Sequence, residues 1–177
     1  MITANKTVKE ITKQIKVEGE GSLLEVNKSG LTPLHHAGTM IFFIYCGIFN
    51  IKLRGTAKSR EDIVKQLLSY SIIEVDQKDF CGLTPLHWAA QMGNFNSCKL
   101  LLQKGNASVL QVSTDGATAL HYLVRHAIDN STDFANFCII FSWILERGFH
   151  LNTQDCIGNT ILHYVIFFIL FHLSSYL

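Results

Sequence analysis

Gly82-Leu83-Thr84-Pro85-Leu86-His87-Trp88-Ala89-Ala90 decides the fold, because the block returns three more times. It reads Gly30-Leu31-Thr32-Pro33-Leu34-His35-His36-Ala37 upstream, then Gly116-Ala117-Thr118-Ala119-Leu120-His121-Tyr122-Leu123 and Gly158-Asn159-Thr160-Ile161-Leu162-His163-Tyr164-Val165 downstream. Glycine, threonine, leucine and histidine keep their places in all four. Each residue type has a local reason to be there. Threonine suits a helix N-cap, where its hydroxyl accepts from an early backbone N–H. Proline at the first helical position has no N–H to leave unpaired. Glycine before the threonine suits a tight turn of positive φ. The leucine four places after the glycine and the alanine seven places after it fall on one helix face. A helix pair of this size cannot bury that face alone, so stacked neighbours must complete the core.

The block resembles the ankyrin repeat, whose first helix opens on Thr-Pro-Leu-His-x-Ala and whose period is about 33 residues. Gly82 and Gly116 stand close to one such period apart. After the second block come Gly93, an apolar second helix around Cys98, Leu101 and Leu102, and Gly105 to close it. The resemblance implies an all-α solenoid of stacked helix-turn-helix units with short β-hairpin-like loops. It covers 24–164, with units starting near 27, 79, 113 and 155. Residues 1–23 read as an N-terminal segment or the remnant of a preceding repeat, and 165–177 as an apolar tail.

Only the step from Gly82 to Gly116 keeps the period. The steps from Gly30 to Gly82 and from Gly116 to Gly158 are both longer, so two units carry insertions. In the third, the polar stretch within 127–136 predicts a loop insertion, with a second helix over 137–146 whose core face is Trp143, Ile144 and Leu145. In the first, an apolar insertion at about 38–54 interrupts the helix after Ala37. Without that run, Gly30 and Gly82 would also stand close to one period apart. The run then reads as sequence foreign to the fold, such as translated intervening sequence. A membrane-contacting or partner-binding segment and an extra packed helix are the other readings. The tail departs at the same repeat position, and neither run holds an acidic residue. Both are shorter than the roughly 20 apolar residues of a spanning helix.

Composition narrows the function. Of 177 residues, 48% are hydrophobic and 16% charged, which argues against a disordered chain. The net charge of +1 provides no general attraction to nucleic acid. The five cysteines lack the spacing of a zinc or redox motif and read as free thiols of a reducing compartment. The polar stretch from Met1 to Val17 lacks a secretory h-region, so an intracellular, cytoplasmic location is expected. His35, His87, His121 and His163 share one repeat position, but units stacked about 10 Å apart cannot converge on an ion whose ligands lie at about 2 Å. They are expected to bond backbone groups and tie adjacent loops together, as structural partners of Thr32, Thr84, Thr118 and Thr160. Neither a nucleophile elbow, a phosphate loop nor a zinc helix occurs, so no catalytic residue, metal or cofactor is predicted.

The resemblance also implies a function and a place for it. Ankyrin units act as scaffolds that bind a partner protein through hairpin tips and the concave face of the first helices. The implied partner-binding residues are Phe80, Cys81, Leu83, Gln91 and Met92 in unit two. In unit three they are Thr114, Asp115, Ala117, Arg125 and His126. Lys28, Ser29 and Leu31, and Cys156, Ile157 and Asn159, hold the tip positions of units one and four. Neither nucleic acid nor a small-molecule substrate is expected as partner. The alternative is an ankyrin part of a larger signalling enzyme (kinase, GTPase regulator or ubiquitin-linked) or channel whose active part lies elsewhere.

Overall fold

Among the described residues, seven α-helices carry the repeat. The structure is a computed structural model and describes residues 12–13, 15–38, 57–129 and 134–174. Unit one contributes α1 (Pro33–Gly38) and α2 (Ala57–Leu67). Unit two contributes α3 (Pro85–Gln91) and α4 (Phe95–Gln103), and unit three α5 (Ala119–Asp129) and α6 (Phe134–Glu146). Unit four contributes α7 (Ile161–Ser174). The first helices pack in sequence, α1 on α3, α3 on α5 and α5 on α7, while α2, α4 and α6 form a second row behind them. Among the described residues the only β-pairing is an isolated bridge between Val112 and Thr118 in the third hairpin. The chain is thus an all-α ankyrin solenoid.

The core lies between the two rows. Leu34, Leu86 and Leu120, the motif leucines of three units, are fully buried, as are Ala37, Ala89 and Leu123 at the next inward position. Cys98, Leu101 and Leu102 of α4 close the core from the second row. Ahead of unit one, a 3₁₀ turn at Glu20–Leu24 and the helical residues 15–18 add buried Leu23 and Ile15. The motif leucine of unit four differs: Leu162 is 62% exposed, because no following unit among the described residues lies against it.

Two elements differ from their expected bounds. α5 runs to Asp129, into the stretch expected as loop. Nothing between Ala119 and Asp129 is a glycine or proline that would stop it. α6 starts at Phe134, and the residue before it in the sequence, Asp133, is of a type that favours helix starts. Ile140 and Ile144 are its buried residues, whereas Trp143 and Leu145 are half-buried. The tail is continuous with the fourth motif as one helix of 14 residues. The apolar run 40–53 lies outside the described residues.

Candidate functional site

The motif threonine and histidine build one device four times. Thr32 N–H donates to His35 Nδ1 at 3.0 Å, and the Thr32 hydroxyl lies 2.7 Å from the same nitrogen. Units two, three and four repeat the N–H bond at 3.2, 3.2 and 3.1 Å. In return, His35 N–H donates to Thr32 Oγ1 at 3.4 Å. This is a capping box with histidine in place of the usual Glu or Gln. An Nδ1 that accepts from a backbone N–H carries no proton, so the ring is the neutral Nε2–H tautomer.

The other ring nitrogen faces the next unit. His35 Nε2 donates to the Leu83 carbonyl at 3.0 Å, crossing from unit one to unit two. His87 and His121 face the equivalent carbonyls of Ala117 and Asn159. They close no bond of ordinary length, and both Nε2 atoms are buried without a hydrogen-bond partner. Burial pushes the His87 pKa down to about 4, and it lowers those of His35 and His121. His36 is also pushed to about 4, by burial and by neighbouring His35.

The hairpin tips form a continuous edge. Phe80 N–H donates to the Ser29 carbonyl at 3.1 Å, Thr114 N–H to Cys81 at 3.0 Å, and Cys156 N–H to Asp115 at 2.7 Å. Each tip therefore hangs on the tip before it. The motif glycines make this approach possible. Gly82 has φ +74°, and a Cβ there would stand 2.9 Å from Thr114 N. Gly158 has φ +88° but an added Cβ would meet nothing within 4 Å, since no fifth tip is in place among the described residues.

A second repeated feature lies outside the motif, although its spacing is regular. Three residues before each motif glycine stand Asn27, Asp79, Ser113 and Asp155. Asp79 Oδ1 accepts from Cys81 and Leu83 N–H, both at 2.9 Å, and its Oδ2 accepts from Trp88 Nε1 at 2.8 Å. Asp155 does the same with Ile157, Asn159 and the Tyr164 hydroxyl. These donors hold its carboxyl down at about 2 against the opposing effect of burial. Asn27 accepts from Ser29 and Leu31 N–H. In unit three Ser113 takes the place, donating to the Ala117 carbonyl and to Asp115, which in turn accepts from the Tyr122 hydroxyl. In units two to four, the aromatic residue after the motif histidine thus braces the tip of its own unit.

The implied partner-binding residues divide into two groups. Phe80, Cys81, Gln91, Thr114 and Arg125 are exposed, and Met92, Asp115 and His126 are half-buried. Leu83 and Ala117, by contrast, are buried. The place after the glycine turns back toward the solenoid, where its carbonyl rather than its side chain is used. Arg125 lies over the rings of Tyr122 and Tyr164, at 5.7 and 5.9 Å from their centroids, and so bridges units three and four. His126 packs over Gly93 of unit two, where a Cβ would collide with its ring. Phe80 stands 73% exposed at the tip edge. Among the described residues no cluster of three or more His, Cys, Asp or Glu side chains could hold a metal. Nor is any helix there long and apolar enough to cross a membrane.

The comparisons with known proteins agree with the architecture. The family described as "Ankyrin repeats (3 copies)" matches residues 54–137. Ankyrin repeat domain-containing protein 53 of Homo sapiens is 34% identical over 96 residues, covering 54% of this chain and 17% of that protein. The putative ankyrin repeat protein FPV244 of Fowlpox virus is 28% identical over 130 residues, 60% of this chain and 19% of its own. The NAD-dependent deacetylase sir2B of Dictyostelium discoideum is 28% identical over 124 residues, 63% of this chain and 16% of that protein. The match therefore spans under a fifth of each of these relatives. With four stacked units, each opened by the same bond from the threonine N–H to histidine Nδ1, the chain belongs to the ankyrin-repeat family.

Proposed function

We propose that this chain is a non-catalytic protein-interaction module that acts inside the cell and captures a partner protein along its tip edge and the adjoining first helices. Ankyrin repeats are protein-interaction modules, and the observation that carries the reading here is the backbone-linked edge of tips. It fixes Phe80, Cys81, Thr114 and Asp115 in one register while leaving the Phe80 ring in solvent. A rigid scaffold that presents a large apolar side chain lowers the entropy lost on binding. Gln91, Met92, Arg125 and His126 extend the surface onto the first helices. Leu83 and Ala117 are left out of it. Units start near 27, 79, 113 and 155, and the surface draws mainly on the second and third.

A second reading has its own support. The relatives include a deacetylase and a probable serine/threonine-protein kinase, so the module also suits the role of a targeting part within a larger signalling protein. The test of the first reading is capture with a chemical cross-linker from the native cell, comparing wild type with Phe80→Ala/Met92→Ala. Loss of one specific partner, with the melting curve unchanged, supports the tip-edge site. Equal capture by both proteins would remove it.

A further inference from the structure

Resting on the module reading above, we propose that the captured partner presents an acidic, extended peptide segment. Its carboxylate pairs with Arg125, and an apolar side chain three residues away lies on Met92. Arg125 is the only Lys or Arg in the four first helices. Among the described residues the ion pairs are those of Lys65 with Glu61 and Asp62, so exposed Arg125 stands unpaired. The two acids beside its tyrosines are already committed. Asp115 accepts from the Tyr122 hydroxyl at 3.2 Å and from Ser113. Asp155 accepts from the Tyr164 hydroxyl at 2.6 Å and from the N–H groups of Ile157 and Asn159. Each tyrosine thus holds an acid by its hydroxyl while its ring carries the Arg125 guanidinium. A guanidinium that rests on aromatic rings keeps its N–H edge for a planar acceptor. Holding it in place before binding also lowers the entropy lost when the partner arrives.

The chemistry of the occupant follows from charge and spacing. One fixed fork of N–H donors matches one carboxylate, which accepts two parallel bonds. A phosphate group carries about −1.5 to −2 charge at neutral pH, and these helices hold no second Lys or Arg to share it. Gln91 takes in unit two the place that Arg125 takes in unit three, at the same distance from the motif glycine. It is exposed and uncharged, and Met92 next to it is half-buried. A thioether adapts to apolar side chains of different shape. Adjacent first helices lie about 10 Å apart, and an extended chain rises about 3.3 Å per residue. Residues three apart in such a segment therefore reach successive units, the acid at unit three and the apolar residue at unit two.

The experiment is selection of random dodecapeptides displayed on phage by the full chain, followed by fluorescence anisotropy with the strongest peptide. Wild type should enrich peptides with Asp or Glu three places from Leu, Ile, Met or Phe. Arg125→Glu should enrich Lys or Arg at the acidic place instead, with unchanged helical circular dichroism. Asp129→Asn, which removes the one acid of these helices, should keep the wild-type preference. Exchanging the peptide's glutamate for glutamine should raise Kd about tenfold or more on wild type and leave it nearly unchanged on Arg125→Gln. Enriched peptides without an acid would overturn the proposal, as would the absence of any enrichment. So would a preference that Arg125→Glu leaves intact or Asp129→Asn abolishes, or tighter binding when phosphoserine replaces the glutamate. These failures leave the module reading in place as long as Phe80→Ala/Met92→Ala loses its cross-linked partner. A wild type that enriches no peptide and captures no partner from the cell overturns both.

Discussion

Lowering the pH from 7.5 to 4.5 should destabilise the solenoid before the Asp155 carboxylate is titrated. The cause is the burial of the capping-box histidines. His87 is 1% exposed, and its pKa is pushed from 6.5 to about 4. The folded state therefore excludes a proton that the unfolded chain accepts. The sign follows from that difference. Stability is complete above pH 6.5, falls as the pH drops toward 4, and loses nothing more from this group below that. At pH 4.5 the loss from His87 alone is about 2–3 kcal/mol. His36, also buried and also near 4, adds a loss of the same direction, and so do His35 and His121. A domain of ordinary stability has only about 5–15 kcal/mol in total. Asp155, held near 2, acts in a separate window: its contribution is present above 3.8 and is lost only as the pH falls toward 2.

The assay is urea denaturation followed by circular dichroism at pH 7.5, 6.5, 5.5 and 4.5. The midpoint should hold from 7.5 to 6.5 and then fall steadily. His87→Gln sharpens the test. Glutamine at this position can still accept from Thr84 N–H, as in the ordinary capping box, but it does not titrate. The variant should begin somewhat less stable at pH 7.5 and lose about 2–3 kcal/mol less than wild type on going to 4.5. A wild-type midpoint that stays flat to pH 4.5 would refute the reasoning, as would an unchanged pH slope in His87→Gln.

Other substitutions test the remaining contacts. Gly82→Ala should cost about 1–3 kcal/mol for its left-handed backbone plus the displacement of Thr114, whereas Gly158→Ala should cost the backbone part alone; equal losses in urea midpoint would contradict the tip ladder. Asp79→Ala orphans two N–H groups and the Trp88 indole, so a loss of about 2–3 kcal/mol is expected, with a red shift in tryptophan emission. Asp79→Asn, which keeps an oxygen for the backbone donors, should lose less. Brief treatment of the folded protein with iodoacetamide should label exposed Cys81, Cys138 and Cys156 and spare Cys98, whose burial pushes its thiol to about 12; peptide mass spectrometry reads the difference.

The repeat was legible because its residues act locally. Threonine, proline and histidine build a helix start from contacts three residues apart, and such contacts leave a fixed spacing in the sequence. Leu34, Leu86 and Leu120 could be placed in the core for the same reason. The direction of a tip side chain was not legible. Leu83 and Ala117 sit one place after a glycine of positive φ, and that φ turns the chain inward before the helix begins. A motif that marks the tip does not reveal which of its residues face out. The bracing residues were present at constant spacing, but three different residue types fill their four places. Asn27, Asp79, Ser113 and Asp155 share a role as acceptor or donor in the turn, and a search for identical letters passes over them.

The end of α5 shows a competition between local and repeat-level rules. The family period favours a short first helix followed by a turn, as at Gln91–Gly93 in unit two, where Gly93 adopts φ +62°. Unit three has no glycine at the matching place: Ala127 stands where unit two has Gly93, and Ile128 and Asp129 continue the helix. The close approach explains why the glycine belongs to unit two rather than unit three. His126 lies against Gly93, and a side chain at 93 would occupy the space of that ring. The extra helical length of α5 thus depends on a small residue in the unit before it. Gly93→Ala should therefore push the His126 ring away and strain a left-handed backbone, costing about 1–3 kcal/mol. Gly93→Ala/His126→Ala should recover the part of that loss due to the collision and leave the backbone part. No recovery in the double variant would mean that the ring yields freely, and that the two units are matched by their backbones alone.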